Sequence, residues 1–181
     1  MMTSKHLDEF QVVRQSEIRP EIMQSFISGY IREHANRNPY NYSDEMEQLY
    51  PDFEKWFRNK VEPNLSSVKA SRELLLLMAP NSPETEQIVA GFAILKKTVE
   101  EKKICTFRIS NGWRKKGAGR ILMNACFKHL GTTKPLFTVS DKCKASFESL
   151  IKEYNFQLTE QLENYYANGS VEFVYNGVLK K

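Results

Sequence analysis

The sequence predicts an α/β domain of the α+β type: a mixed, mostly antiparallel sheet flanked by helices, in a single unit of 181 residues. Three observations carry this. Short apolar runs separated by polar turns fill the stretch from Arg72 to Ser110, the signature of an antiparallel meander. A glycine loop, RKKGAG, then opens a helix-length segment, after which strand and helix alternate. Two strand-like segments around Asn168-Gly169 close the chain as a hairpin. No internal repeat or low-complexity segment interrupts the pattern, and the length suits one good core and is short for two.

Taken in order, Phe10–Arg14 reads as a short first strand. Ser16 to about Ala35 reads as a helix, with Ile18, Ile22, Phe26 and Tyr30 at four-residue spacing and Pro20 in its first turn. The loop HANRNPYNYS carries Tyr40 and Tyr42. Ser43 can cap a second helical region with the stripe Met46, Leu49, Tyr50, Phe53, Trp56, Phe57 and Val61. Pro51 splits that region into two short helices, as a first-turn residue of the second. RELLLLMAP, IVAGFAILKK and ICTFRIS are three strands joined by the turns NSPETEQ and EEKK. A helix runs from about Gly117 to Leu130, with Ala118, Ile121, Leu122 and Ala125 on one side and Met123, Phe127 and Leu130 on the other. KPLFTVS is a further strand, and KASFESLIKEY a helix with Phe147, Leu150, Ile151 and Tyr154 on one face. FQLTEQLEN and SVEFVYNG form the closing hairpin, with Asn168-Gly169 as its tight turn.

The composition, 41% apolar and 27% charged, is ordinary for a globular domain. Arg114, Lys115, Lys116 and Arg120 alone match the whole net charge of +4, so the basicity is local. That suits a compact anionic ligand better than a nucleic-acid track. The three cysteines, Cys105, Cys126 and Cys143, lack C-x-x-C spacing, which argues against a disulfide framework or a zinc site, and no metal is expected. MMTSKHLDEFQVV has no apolar signal core, and no run of 18 apolar residues exists. A reduced cytoplasmic protein with no membrane partner is the expectation.

What the loop binds follows by elimination among phosphate-binding patterns. Gly112 and Gly117 have P-loop spacing, but Ala118 and Gly119 stand where Lys and Ser/Thr are needed. The dinucleotide pattern fails because Leu122 occupies its third glycine position. R-x-x-G-x-G, Arg114 through Gly119, survives. Its glycines let the backbone approach an anion, which the amides and dipole of the helix start then favour, and the cationic side chains reach outlying phosphates.

This segment resembles the acetyl-coenzyme A loop of the GNAT superfamily of N-acetyltransferases, whose pattern is Q/R-x-x-G-x-G/A. The likeness extends over ICTFRISNGWRKKGAGRILMNACFKHL and KPLFTVSD…FESLIKEYNFQLTE, about residues 70–176; before that only the element order matches. It implies a GNAT-like fold and one N-acetyltransferase domain spanning 1–181, with 1–70 as a helical acceptor-side half and 70–176 as the acetyl-CoA-binding half. Acetyl-CoA would be the co-substrate. Arg114, Lys115, Lys116, Gly117, Ala118, Gly119 and Arg120 would cradle its diphosphate, and the backbone of Ile109 and Asn111 would pair with its pantetheine arm. Relatives often have proline where Asn111 stands.

Transfer to an amine needs that amine neutral, and relatives often supply Glu from the central strand as base. Here Ile104–Arg108 contains no acid, and Glu100 and Glu101 lie in the turn before it, too far along. A tyrosine of the later helix often protonates the leaving thiolate. Ile151 occupies that position, so Tyr154, one turn later, and Ser140, at a strand end, are the catalytic candidates, each also readable as a core or cap residue. His129 and His34 read as packing or capping residues at helix ends, and Cys143, between two lysines, as a weak nucleophile candidate. Tyr165 and Tyr166, near the hairpin tip, and Tyr40 and Tyr42 suit an acceptor pocket; Tyr50, Phe53, Trp56 and Phe57 suit the core. The acceptor is a small-molecule or macromolecular amine, with a tRNA and a second copy of the chain open as partners. An acyl-CoA-binding regulator and a nucleic-acid binder are the competing readings.

Overall fold

The leucine run of RELLLLMAP sets the layering of the molecule. The computed structural model describes residues 9–26, 52–65, 71–80 and 88–180, and in it this run forms strand β2 (Arg72–Met78). Leu74 and Leu76 belong to one core and Leu75 and Leu77 to another, and all four are buried. Alternate residues of a strand point to opposite faces, so a strand apolar on both sides requires helices on both.

The other strands are β1 (Gln11–Arg14), β3 (Val89–Lys97), β4 (Lys102–Ile109), β5 (Leu136–Ser140), β6 (Leu158–Glu163) and β7 (Val171–Tyr175). The order across the seven-stranded sheet is β1-β2-β3-β4-β5-β7-β6. Neighbours are antiparallel except β4 and β5. Helices α1 (Pro20–Phe26), α2 (Phe53–Trp56) and α3 (Glu62–Leu65) cover the face of Leu74. Helices α4 (Ala118–Leu130) and α5 (Lys144–Glu153) cover the face of Leu75. No described helix is long and apolar enough to cross a membrane.

Four readings of the sequence need correction. Gln15–Glu17 form a separate 3-10 turn, and helix α1 starts only at Pro20. Helix α2 starts at Phe53 after Asp52, which is left-handed at φ 67°; Pro51, Tyr30, His34, Tyr40, Tyr42, Tyr50 and the turn 81–87 lie outside the described residues. A π turn, Phe57–Val61, joins α2 to α3. Pro63 follows it, has no N–H for an α bond and would clash with the Asn59 carbonyl, and the wider turn absorbs both problems. Ile121 is 38% exposed, whereas Leu122, Met123, Cys126 and Leu130 are fully buried. At about 100° per residue, Ile121 falls roughly opposite the centre of that buried arc.

The closing hairpin also departs from a tight turn. Residues 164–170 connect β6 to β7, and Asn168-Gly169 lies within that longer loop. Asn164 organises it, accepting from the Gly169 amide on Oδ1 (2.6 Å) and donating its own N–H to the Ser170 carbonyl (2.9 Å).

Register decides where the sheet opens. Ile94 faces Thr106 and Leu95 faces Ile104, so Cys105 is an extra residue that bulges β4. The parallel pairing of β4 with β5 consists of Lys103↔Leu136 and Ile104↔Phe137. Beyond the bulge the two strands diverge, leaving a gap in the sheet. Gly91 lets β3 hold β4 close at this point, because a Cβ there would lie 2.5 Å from the Arg108 carbonyl oxygen. Gly91→Ala is expected to cost roughly 1–3 kcal/mol of stability as β3 is pushed away. A urea midpoint unchanged in the variant would refute so close an approach.

Candidate active site

At the end of β4 the chain makes the 3-10 turn Asn111–Trp113 and enters the glycine loop. Lys115 and Gly117 are both left-handed, at φ 59° and 83°, which swings the backbone under the start of α4. The first helical bonds run from the Arg120 and Ile121 amides to the Gly117 carbonyl, at 3.1 and 3.2 Å. The amides of Ala118 and Gly119 therefore stand ahead of the helical ladder, where a helix start offers donors and positive potential to an anion.

The loop forms one wall of a cleft of about 720 Å³ whose other wall is α5. Of the residues that the sequence nominated, Ile109, Arg114, Lys115, Gly117, Gly119 and Arg120 line it. Arg114 is braced by donating Nε–H to the Ile109 carbonyl (3.0 Å). Arg120 Nε reaches Glu153 Oε2 on α5 (2.8 Å), tying the two walls together. Asn111, Lys116 and Ala118 are not in the lining. Asn111 sits in the 3-10 turn, Lys116 Nζ stacks 5.1 Å from the Trp113 ring centre, and Ala118 is buried in the core.

Neither catalytic candidate borders the cleft. Tyr154 follows the last turn of α5 on the side facing α4. Its hydroxyl donates to Asn124 Oδ1 (3.0 Å), its ring packs edge-on to Phe127 at 4.9 Å, and burial raises its pKa. Ser140 is 1% exposed and donates to Asp141 Oδ1 (3.0 Å). Tyr154 thus packs half-buried against the core, and Ser140 is a buried strand-end residue whose side chain makes no capping bond. His129 is half-buried with Nδ1 3.9 Å from Glu73 Oε2, and burial lowers its pKa.

The gap between β4 and β5 holds a small cavity of about 30 Å³. It shares Phe107, Arg108 and Phe147 with the cleft on one side. On the other it shares Cys105, Thr106 and Thr138 with a third cavity of about 340 Å³. Cys143 lines the gap and accepts a long contact from Arg108 Nη1 (3.9 Å). Arg108, 7% exposed, is a cation where the resemblance leads one to look for an acid. Burial pushes the Cys105 thiol up, against the pull of Lys103 and Arg72.

The third cavity lies on the α2 face of the sheet. Tyr165, Tyr166, Trp56 and Phe53 supply its aromatic walls, so Phe53 and Trp56, which pack in the core as expected, also border a cavity. Glu101 also lines it, nearer than its place in the turn suggested, and is held by Lys96 Nζ at 2.6 Å. Nothing in the residue order shows that this turn borders the cavity. Among the described residues no His/Cys/Asp/Glu group could hold a metal ion.

No family model and no curated protein matches the sequence. Solved structures do match the fold. A GNAT-family protein of Desulfovibrio desulfuricans superposes with a TM-score of 0.61 at 13% identity, covering 92% of this chain and 97% of its own. The chain has the GNAT fold. A GNAT-fold structure from Escherichia coli, the ribosomal-protein-S18-alanine N-acetyltransferase, aligns at TM-score 0.54 and 15% identity over 96% of this chain and 97% of its own. A spermidine N-acetyltransferase chimaera from Vibrio cholerae aligns at 0.53 and 15%, over 93% and 95%.

Proposed function

We propose that the protein transfers the acetyl group of acetyl-CoA to a primary amine, and that an α-amine, as on an aminoacyl group or a protein N-terminus, is preferred to a lysine side chain. The shared walls of cleft, gap and far cavity support this reading, because they place a donor site and an acceptor site on either side of the opening between β4 and β5. The loop amides with Arg114, Lys115 and Arg120 suit a diphosphate. Phe107, Ile109 and Leu150 offer an apolar path from there to the gap. Arg108, at the junction, is placed to stabilise charge that develops on a thioester oxygen or a leaving thiolate.

The fold alone does not choose the acceptor, since its neighbours include enzymes named for a protein alanine and for spermidine. The choice rests on deprotonation. With no carboxylate on Ile104–Arg108, an acceptor of low pKa is the one most easily presented neutral. The same missing carboxylate favours, as a second reading, a regulator that binds acyl-CoA without turnover. A nucleic-acid role fits less well, because Arg120 is paired with Glu153, Lys116 stacks on Trp113 and Arg114 is braced on Ile109.

A calorimetric titration with coenzyme A, followed by thiol detection with acetyl-CoA and a panel of amines, separates these readings. Acetyl transfer predicts binding and amine-dependent thiol release. A regulator predicts binding with no release for any amine, and a nucleic-acid binder predicts steeply salt-dependent RNA or DNA affinity that coenzyme A does not compete away.

A further inference from the structure

The charges around the far cavity do not balance. Its walls hold the cations Arg72, Lys96, Lys103 and Lys180 and the carboxylates Asp52 and Glu101. Lys96 is neutralised by Glu101 at 2.6 Å, and Lys180 lies 3.5 Å from Glu100. Asp52 is exposed at the start of α2. Among the described residues, neither Arg72 nor Lys103 has a carboxylate within salt-bridge reach. Arg72 instead donates Nη1–H to Cys105 Sγ (3.2 Å) and stacks 5.4 Å from the Trp56 ring centre. Lys103 Nζ donates to the Tyr166 hydroxyl (3.3 Å). Both side chains are half-buried.

We infer that this cavity selects an acceptor carrying an anionic group, carboxylate or phosphate, close to its amine, with Arg72 and Lys103 receiving the anion. The inference rests on the acetyltransferase reading above for the cavity's role, and narrows its acceptor class to amines in which a side chain or neighbouring group brings the anion, since the carboxyl of an aminoacyl group or a protein N-terminus is itself uncharged. A guanidinium already ordered by stacking on an indole spends little conformational freedom when it binds an oxyanion. Two half-buried cations with no carboxylate in salt-bridge reach among the described residues favour an anion and disfavour an ammonium at the same place. A free polyamine is therefore rejected. An anion-bearing amine is instead drawn in by its anion, which pairs with the cations.

The preference can be read without turnover. The chain has two tryptophans, so Trp113→Phe leaves Trp56, in the cavity wall, as the sole fluorophore excited at the red edge. In that background, phenylalanine is compared with phenethylamine for the carboxylate arm and glucosamine 6-phosphate with glucosamine for the phosphate arm. Spermidine is the polycationic control. The anionic member of at least one pair is expected to quench Trp56 with an affinity tenfold or more above its neutral-chain counterpart, and the arm that responds identifies the anion. Replacing Arg72 and Lys103 together by Gln should bring the preference below twofold, with an unchanged melting midpoint showing that the fold is kept. Equal binding within both pairs, tighter binding of spermidine, or no quenching by any member overturns the inference. Absence of thiol release with every amine would sink the acetyl-transfer reading while leaving the quenching preference in place; turnover without any charge preference would sink this inference alone.

Discussion

Gly117→Val will lose about a hundredfold in affinity for coenzyme A, whereas Arg114→Ala will lose about tenfold or less. Gly117 is left-handed at φ 83°, where a β-branched residue is strained by roughly 1–2 kcal/mol, so the loop rearranges. Rearrangement displaces the Ala118 and Gly119 amides from the anion, and each hydrogen bond to a charged group contributes roughly 1.5–3 kcal/mol. Nothing lies within 4 Å of a Cβ built at Gly117, so the effect comes from backbone conformation and the fold should survive. Gly119 differs: its Cβ would lie 3.5 Å from Leu150 Cδ1, an ordinary contact. Gly119→Ala should be mild, and Gly119→Val should crowd the cleft against α5. Arg114→Ala removes a charge and leaves the amide cradle. Calorimetry with desulfo-coenzyme A checks the series, and full affinity in both valine variants would dismiss the loop as the diphosphate site.

The pH profile should distinguish acceptors by about two orders of magnitude. An α-amine has a reference pKa near 8 and lysine one near 10.4, a difference of about 2.5 units or about 3 kcal/mol in the cost of presenting a neutral amine. For a lysine acceptor, kcat/KM should climb about tenfold per pH unit through the neutral range. For an α-amine it should climb and then level off near the amine's own pKa, because above that pKa the amine is already neutral. Tyr166 does not confuse the profile: burial, and then the nearby Glu172 charge, hold its hydroxyl well above the usual phenol range, so it stays protonated throughout. An enzyme group titrating at about pH 6–7 that disappears in Glu101→Gln would reveal a base and overturn the expectation.

The parts of the fold that were legible in the sequence are those set by local chemistry. The apolar run of β2 announces a strand, and the glycine loop announces a close backbone turn at a helix start. The strand order through β5 follows from short turns and one helical crossover. What stayed hidden depends on register and on three-dimensional neighbours. Cys105 is an ordinary strand residue until its partners are known; only the pairing of Ile94 and Leu95 shows it to be the extra residue beside the gap. Tyr154 lies on the apolar side of its helix, as its spacing indicated, yet spacing could not tell the side facing Asn124 and Phe127 from the side facing the cleft. Arg72, Lys103 and Trp56 are far apart in sequence, and nothing local marks them as one cavity.

The division of the sheet at Cys105 also separates two jobs along the chain. The cleft beside the glycine loop is made from one continuous stretch, Phe107 to Glu153. The far cavity borrows much of its wall from segments nearer the chain's two ends: Asp52 to Trp56, the loop that carries Tyr165 and Tyr166, and Leu179 with Lys180. Substitution in those peripheral segments is expected to reshape the far cavity around Arg72 and Lys103, which stand on the central strands, while the glycine loop stays untouched. The two cavities can therefore be altered separately, one through the middle of the chain and the other through segments nearer its ends.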